Sequence, residues 1–279
     1  MWITTGRRAR GTGESVWILA AAGLLSLAAG PAWAFQAQID KPRIQETIAP
    51  GQTISGSVTV TNQGREPVNL EVYLQDWEYA QGGSGDKEFT APGTSSRSAS
   101  EWIRYFPNKM SVAAGGAGKV DYTITVPPEA QGGHYAVLFF ESLVGNAPVD
   151  QSGVAVQYVG RLGSLIEVEA AGTVQRTGDI TDVAIGAVAP DRPLEINYTF
   201  RNTGNVVIRP KAYYNILDAA GRYLGRGEFE PLYTSPGGSG TAHTEWTGRL
   251  PSGEHTLLLT VDLGGAEPLV VERSLAAGR

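Results

Sequence analysis

Two stretches of this chain, residues 58–74 and 196–214, carry the same pattern of strand-forming residues around a short polar tip. In the first, Asn62–Gly64 separates two runs rich in β-branched and aromatic residues, and in the second Asn202–Gly204 does the same. An Asn-x-Gly segment between such runs is typical of a tight turn. We therefore predict that each stretch is a pair of antiparallel strands joined by a tight connection.

A second similarity follows later in each half of the chain. Gly133–Leu138 corresponds to Gly253–Leu258, and each segment comes shortly after a proline. The order of the two similarities is the same in both halves, so the chain is predicted to contain two related β-domains in tandem. Such an arrangement favours a protein that holds or binds something over one that transforms a substrate.

Residues 1–34 have the three parts of a secretory signal peptide. Arginines at positions 7, 8 and 10 precede an apolar run from Val16 to Ala29, which is followed by the small-x-small sequence Ala32–Ala34. This order predicts export by the Sec route with cleavage after residue 34. The alternative is an uncleaved membrane anchor, but the apolar run is shorter than the roughly 20 residues that a spanning helix needs.

The remainder of the chain is acidic and contains no cysteine. The full chain has a formal charge of −6, and removal of residues 1–34 takes away three arginines and one glutamate, which makes the balance more negative. We therefore expect neither nucleic-acid binding nor membrane insertion after signal cleavage, and a soluble product in the periplasm or another extracytoplasmic space. The absence of cysteine excludes disulfides, thiolate nucleophiles and cysteine-ligated metals.

The mature sequence predicts an all-β fold of two tandem immunoglobulin-like β-sandwich domains. Short strand-like runs separated by turns fill residues 35–172 and 173–279, without helical periodicity. Within the first domain, residues 80–100 are small and polar, so we predict a flexible loop there. A functional loop is the alternative, because this length is unusual in a compact domain.

The sequence offers no constellation for catalysis, so we predict a non-enzymatic protein without cofactor or metal. Its histidines are His134, His243 and His255, and none has the spacing of a metal ligand pair. His134 and His255 occupy nearly equivalent positions at strand entries, which favours a structural role. Gly115–Val120 superficially resembles a phosphate-binding loop, but it lacks the first spacing glycine and precedes a strand.

The first domain resembles the N-terminal domain of periplasmic pilus-assembly chaperones of the PapD type. The resemblance depends on four segments in the order that this superfamily has them: Ile39–Arg43, Gly56–Asn62, Leu74–Trp77 and Ile103–Met110. The second domain matches only as a generic immunoglobulin-like partner. The resemblance implies a protein that binds a secreted or surface protein subunit (the client) by β-strand addition.

The resemblance also implies particular site residues. In that family, an arginine at the end of the first strand and a lysine on a later strand hold the client's terminal carboxylate. Arg43 corresponds to the first cation, and Arg161 is the only cation on the long strand that would carry the second. Arg161 comes about three residues early, and an odd offset would turn it to the opposite face. Solvated charges at strand edges are the alternative for both residues.

Val154, Val156 and Tyr158 alternate as residues that pair with a client strand should, although an ordinary core face explains the same pattern. Residues 127–135 instead resemble immunoglobulin-like domains of bacterial surface proteins, including WxL-associated proteins, which usually have a C-terminal membrane helix that this chain lacks. We therefore predict a chaperone-like protein. The alternative is a cell-envelope adhesion or scaffold module that binds through its sheet edges or through residues 80–100.

Overall fold

The computed structural model describes residues 36–146, 157–189, 192–265 and 267–277. The predicted signal peptide, residues 1–34, lies outside the described residues. Apart from a short 3₁₀ helix at Ser100–Trp102, the regular structure in these ranges consists of strands. The strands form two pairs of sheets in succession, which confirms the prediction of an all-β fold with two tandem sandwiches. No described helix has the length and hydropathy that a membrane crossing requires.

The described residues of the first sandwich form ten strands. They are β1 (Ala37–Ile39), β2 (Arg43–Ile48), β3 (Thr53–Asn62), β4 (Val68–Tyr79), β5 (Lys87–Thr90), β6 (Ile103–Phe106), β7 (Lys109–Val112), β8 (Ala117–Thr125), β9 (Gly133–Asn146) and β10 (Gln157–Ala170). One sheet has the order β1-β3-β8-β6. The other has the order β2-β10-β9-β4-β5, and β7 also pairs with β4.

In the second sandwich, the part of the chain that the structure describes forms seven strands. They are β11 (Gly178–Ile185), β12 (Leu194–Asn202), β13 (Lys211–Asp218), β14 (Tyr223–Glu228), β15 (Ser239–Trp246), β16 (Gly253–Asp262) and β17 (Leu269–Ala277). Its sheets have the orders β11-β12-β15 and β14-β13-β16-β17. The repeated segments Gly133–Leu138 and Gly253–Leu258 lie in β9 and β16, each of which has a neighbour on both sides.

Alternating apolar residues build the core of the first sandwich. In β8, the side chains of Val120, Tyr122 and Ile124 are buried and face the opposite sheet, as their period of two predicts. Strand β9 differs, because its side chains are buried on both faces from Tyr135 through Phe140. One face contributes to the core and the other to a separate aromatic cluster. A central strand covered on both sides explains this continuous apolar run.

The two Asn-x-Gly tips are not hairpin turns, so that prediction is wrong. Strands β3 and β4 belong to opposite sheets, and so do β12 and β13. The side-chain amide of Asn62, which is buried, donates to the backbone carbonyls of Glu66, Val112 and Ala113, while its Oδ1 accepts from Gly64 N. The tip is therefore an arch between sheets, and the asparagine side chain connects its backbone to that of Val112 and Ala113.

Asn202 repeats this arrangement in the second sandwich. Its amide donates to the carbonyls of Val206 and Thr234, and its Oδ1 accepts from Gly204 N at 2.9 Å. The side chain is fully buried. The repeated sequence pattern thus corresponds to the same kind of arch, which occurs once in each sandwich.

The prediction of a flexible loop at residues 80–100 is also wrong. This stretch contains β5, which pairs with β4, and it leads into the 3₁₀ helix. The carboxylate of Asp76, which is completely buried, accepts hydrogen bonds from Thr94 N, Ser95 N and the hydroxyls of Ser98 and Ser100. Small polar residues are required here because they can approach and bind that carboxylate.

The arch asparagine provides a direct test of this packing. We expect Asn62→Ala to lower the free energy of unfolding by about 3 kcal/mol, because it removes the hydrogen bonds of a buried side chain to four backbone groups. Urea denaturation measures the change. Gln63→Ala, at the exposed neighbouring position, is the control and should change stability by less than about 0.5 kcal/mol. Equal losses for the two variants would contradict the account.

Candidate strand-binding edge

Strand β10 has one face in the core and one face directed away from it. Ser164, Ile166 and Val168 are buried, and the last two belong to the core of the first sandwich. Since side chains alternate along a strand, Arg161, Leu165 and Glu167 lie on the other face, with Val137 and Phe139 of β9. We call the side of this sheet that faces away from the core the outer face.

The beginning of the chain crosses from one sheet to the other beside β10. Strand β1 pairs with β3, and after Asp40–Pro42 the chain continues as β2, which pairs with β10. Asp40 Oδ1 accepts from Thr59 N at 2.8 Å, and the carbonyl of Pro42 accepts from Leu165 N at 3.0 Å. The crossing point is therefore held to both sheets.

This crossing leaves the first half of β10 with β9 as its one neighbour among the described strands. Strand β2 runs parallel to β10 from Arg43, opposite Leu165, to Ile48, opposite Ala170. Among the described residues, no strand pairs with the first half of β10 on the side away from β9. We call residues 157–164 of β10 the open edge.

The open edge presents backbone hydrogen-bonding groups to the outside. Leu165 N points toward β2, since it donates to Pro42 O. Backbone groups alternate in direction along a strand, so the N–H and C=O of Arg161 and Gly163 point the same way and meet no described strand. Unpaired groups of this kind are a template for another strand.

Arg43 lies where the open edge ends. Its side chain is on the outer face, 34% exposed, and Nη1 donates to Glu167 Oε1 at 2.8 Å. Glu167 is almost fully buried, and its other oxygen accepts from Gln45 Nε2 at 3.0 Å. The first cation implied by the sequence resemblance is therefore already in contact with a carboxylate of the chain itself.

Arg161 is on the same face as Arg43, but the structure does not bring the two together. Its position in β10 is four residues before Leu165, which is roughly 13 Å along a strand. Its guanidinium lies over the ring of Phe139, with Cζ 4.1 Å from the centroid, and Nη1 donates to Tyr73 OH at 3.4 Å. Arg161 thus lies beside the middle of the open edge rather than at its end.

The residues predicted to pair with a client strand lie at the limit of the described structure. Val154 and Val156 are outside the described residues. The backbone of Tyr158 belongs to β10 and pairs with Gly145, and the register shifts between Tyr158 and Val159.

Sequence reasoning missed the aromatic part of the outer face. Trp77, Tyr79 and Tyr135 are buried in a cluster that also includes Val207 and Tyr233 of the second sandwich. The signal was present in β4, where Tyr73, Trp77 and Tyr79 occupy alternate positions opposite the core-facing residues. Aromatic residues on the second face of a strand predict that this face is also covered.

Hydrogen bonds accompany this contact between the sandwiches. Val207 N donates to the hydroxyl of Tyr135 at 2.5 Å, and Tyr79 N donates to the hydroxyl of Ser235 at 2.9 Å. The hydroxyl of Tyr135 is protonated at neutral pH, as in any tyrosine, and burial raises its pKa further. Arg209 of the second sandwich donates through Nε to Tyr79 OH at 3.0 Å.

Two of the histidines, His134 and His255, lie within hydrogen-bonding distance of backbone carbonyls. His134 Nδ1 is 3.1 Å from the carbonyl of Ser98, and its ring packs against that of Trp102 at an angle of 40°. His255 Nε2 is 2.7 Å from the carbonyl of Pro251. Within the described ranges, no group of three or more potential metal ligands is close enough to hold an ion.

No protein-family model and no curated protein matches the chain. It is similar to solved structures of fimbrial chaperones, as its sequence indicated. The class 5 fimbriae chaperone CfaA is 13% identical, with 85% of this chain and 99% of that chain covered and a TM-score of 0.44. For the E. coli chaperone DraB the values are 11%, 88%, 99% and 0.38.

The chaperone–tip adhesion subunit complex CsuC–CsuE of Acinetobacter baumannii also matches. It is 10% identical, with 85% of this chain and 97% of that chain covered and a TM-score of 0.41. All three TM-scores lie below 0.5.

The contact between the sandwiches is testable through one hydroxyl. We expect Tyr135→Phe to lower the free energy of unfolding by about 2 kcal/mol, because Val207 N is left buried without an acceptor. The measurement is urea denaturation, with the exposed Tyr223→Phe as the matched control. A Tyr135→Phe protein as stable as the wild type would show that this bond does not hold the contact.

Proposed function

We propose that this protein is an exported, non-enzymatic chaperone that binds a secreted or surface protein subunit by β-strand addition. The partner's strand pairs with the open edge of β10, and the partner's end lies at Arg43. The observation that carries the proposal is that the unpaired half of β10 stops where Arg43 begins its pairing with Leu165.

The open edge has the length that strand addition needs. Eight residues, 157–164, form a strand of roughly 26 Å, which is longer than a typical strand of five or six residues. A partner strand there would satisfy the backbone groups of Arg161 and Gly163. It would lie in line with β2 and therefore could not extend past Arg43. The edge thus limits both the position and the length of the added strand.

The outer face beside the edge offers apolar contacts for the partner. Leu143 and Val159, which pair with each other, are 54% and 52% exposed. Further along the face, Phe89 and Phe139 are in edge-to-face contact, and Arg161 covers the ring of Phe139. Alternate side chains of an added strand would reach these residues, because alternate residues of a strand point to one face.

A negatively charged chain end of the partner would complement the positive charge of Arg43 at the end of the open edge. Arg43 is a cation at the point where an added strand must end, so a terminal carboxylate there would form a charge-assisted hydrogen bond. Arg161 contacts the middle of the added strand in this arrangement. Strand pairing supplies most of the contact area, and the terminal charge defines the register. Covering the edge would keep both proteins from pairing with other strands.

A proline on the open edge tests the proposal. We expect Arg161→Pro to abolish co-purification of the secreted subunit from the native host, because proline lacks the outward N–H and its ring blocks the approaching strand. The β9 side of the strand does not use that N–H. Arg161→Ala keeps the backbone donor and is the matched control, and we expect it to retain the subunit with reduced yield.

Thermal denaturation of both variants shows whether they are folded. If the folded Arg161→Pro protein captures the subunit as well as Arg161→Ala does, the partner does not pair with this edge.

A further inference from the structure

Arg161 carries a positive charge in the middle of the open edge. Its side chain is exposed, and its guanidinium lies on the ring of Phe139, with Cζ 4.1 Å from the centroid. Among the described residues, its one hydrogen bond is the 3.4 Å contact from Nη1 to Tyr73 OH. A guanidinium has five N–H groups in a planar fork. Arg161 Nε and Nη2 therefore have no acceptor in the described part of the chain.

The acidic residue that pairs with Arg161 across the strands does not bind it directly. Glu141 is opposite Arg161 on β9, but no ion pair joins these two described side chains. Glu141 Oε2 instead accepts from Tyr73 OH at 2.5 Å, and Tyr73 OH accepts from Arg161 Nη1. The described contacts of Arg161 are thus all with strands on the β9 side of β10, and its other side faces the open edge.

Two other cations on the outer face do have carboxylate partners. Arg43 Nη1 is 2.8 Å from Glu167 Oε1, and Lys109 Nζ is 3.5 Å from Glu71 Oε1. Arg161 differs from both, because its described contacts are two aromatic rings and one phenolic hydroxyl. Its charge therefore remains available to a partner.

The next residue of β10 on the outer face leaves Arg161 accessible. A Cβ atom at Gly163 would lie 2.9 Å from Phe139 Cε1 and 3.0 Å from Val137 Cγ2. Side chains of β9 already occupy the space that a larger residue would need, so this close approach requires glycine. No side chain of β10 therefore stands between Arg161 and Leu165 on this face.

Strand addition would place a side chain of the partner beside Arg161. Neighbouring strands lie about 4.8 Å apart, and side chains that share a face and a register position interact. The partner would also displace water from the guanidinium, and donors that lose water without gaining an acceptor cost free energy. A carboxylate supplies both acceptors and the opposite charge, whereas an apolar side chain supplies neither.

We propose that Arg161 selects the partner strand, favouring one that carries an aspartate or glutamate beside it over one with a neutral or basic residue there. The inference rests on the proposed function, because an added strand must first pair with the open edge. Since β2 pairs Arg43 with Leu165, the selected residue is four positions before the place that Arg43 occupies. It is a side chain within the partner strand and is distinct from the chain end.

Three synthetic peptides test this selection. Each has eight alternating valine and threonine residues with an acetylated N-terminus and an amidated C-terminus, and its fourth residue is glutamate, glutamine or lysine. The blocked ends remove any contribution from a terminal charge. Calorimetric titration of the wild-type protein should show that the glutamate peptide binds about fivefold more tightly than the glutamine peptide. The lysine peptide should bind most weakly.

Variants of the protein test whether the preference comes from Arg161. Arg161→Gln should bind the glutamate and glutamine peptides equally, and Arg161→Glu should reverse the order, so that the lysine peptide binds most tightly. Arg104 is an exposed arginine of β6, in the other sheet. Arg104→Gln and Arg104→Glu make the same changes in net charge away from the edge and should keep the wild-type order. Thermal denaturation confirms that each variant is folded.

The outcomes separate this inference from the proposed function. If the glutamate and glutamine peptides bind the wild type equally, or if the preference survives Arg161→Gln, Arg161 does not select the strand, while strand addition stands. Loss of the preference in the Arg104 variants would assign it to net charge and would also overturn the inference. If none of the peptides binds the wild type at millimolar concentration, strand addition at the open edge fails, and the selection fails with it.

Discussion

The crossing of the chain between the two sheets at Asp40–Pro42 determines which part of the first sandwich stays open. Before the crossing, β1 pairs with β3, and after it β2 pairs with the second half of β10. The first half of β10 therefore has β9 on one side and no described strand on the other. The hydrogen bonds of Asp40 and Pro42 to opposite sheets hold the crossing in place, and with it the length of the open edge.

The same sheet connects the two sandwiches and presents the open edge. Its outer face is covered by the second sandwich around Trp77 and Tyr135, and it is exposed around Leu143 and Val159. Glu167 pairs with Tyr135 in the covered region, where it joins Arg43 to Arg209. The end of the open edge and the contact between the sandwiches therefore meet at one carboxylate.

Much of the fold could be predicted from local pattern, because burial in a sandwich follows the period of two in strands such as β8. The error at Asn62 has a physical reason, since a turn within one sheet and an arch between sheets use the same residue types. The prediction of a flexible loop at residues 80–100 fails because the residue that binds this stretch, Asp76, comes before it, in β4. Composition shows that residues 80–100 are polar, but it does not show which hydrogen-bond acceptor they bind.

The candidate site was only partly accessible from the sequence. Arg43 could be proposed from a resemblance, because the residues around it keep the family's order. The open edge could not, since strand pairing depends on contacts between residues more than 120 positions apart, such as Arg43 and Leu165. Arg209 was missed for the same reason, as it meets Glu167 from the other sandwich. The site is formed by residues that are distant in the sequence, and local sequence patterns carry no information about such contacts.

Hydrogen–deuterium exchange at individual backbone amides tests the central claim most directly. We expect the amides of Arg161 and Gly163 to exchange rapidly in the free protein and to become protected when the partner subunit is bound, because the added strand then accepts their hydrogen bonds. The amide of Leu165, which already donates to Pro42, should be protected in both states. A complex in which Arg161 and Gly163 exchange as fast as in the free protein would contradict strand addition at this edge.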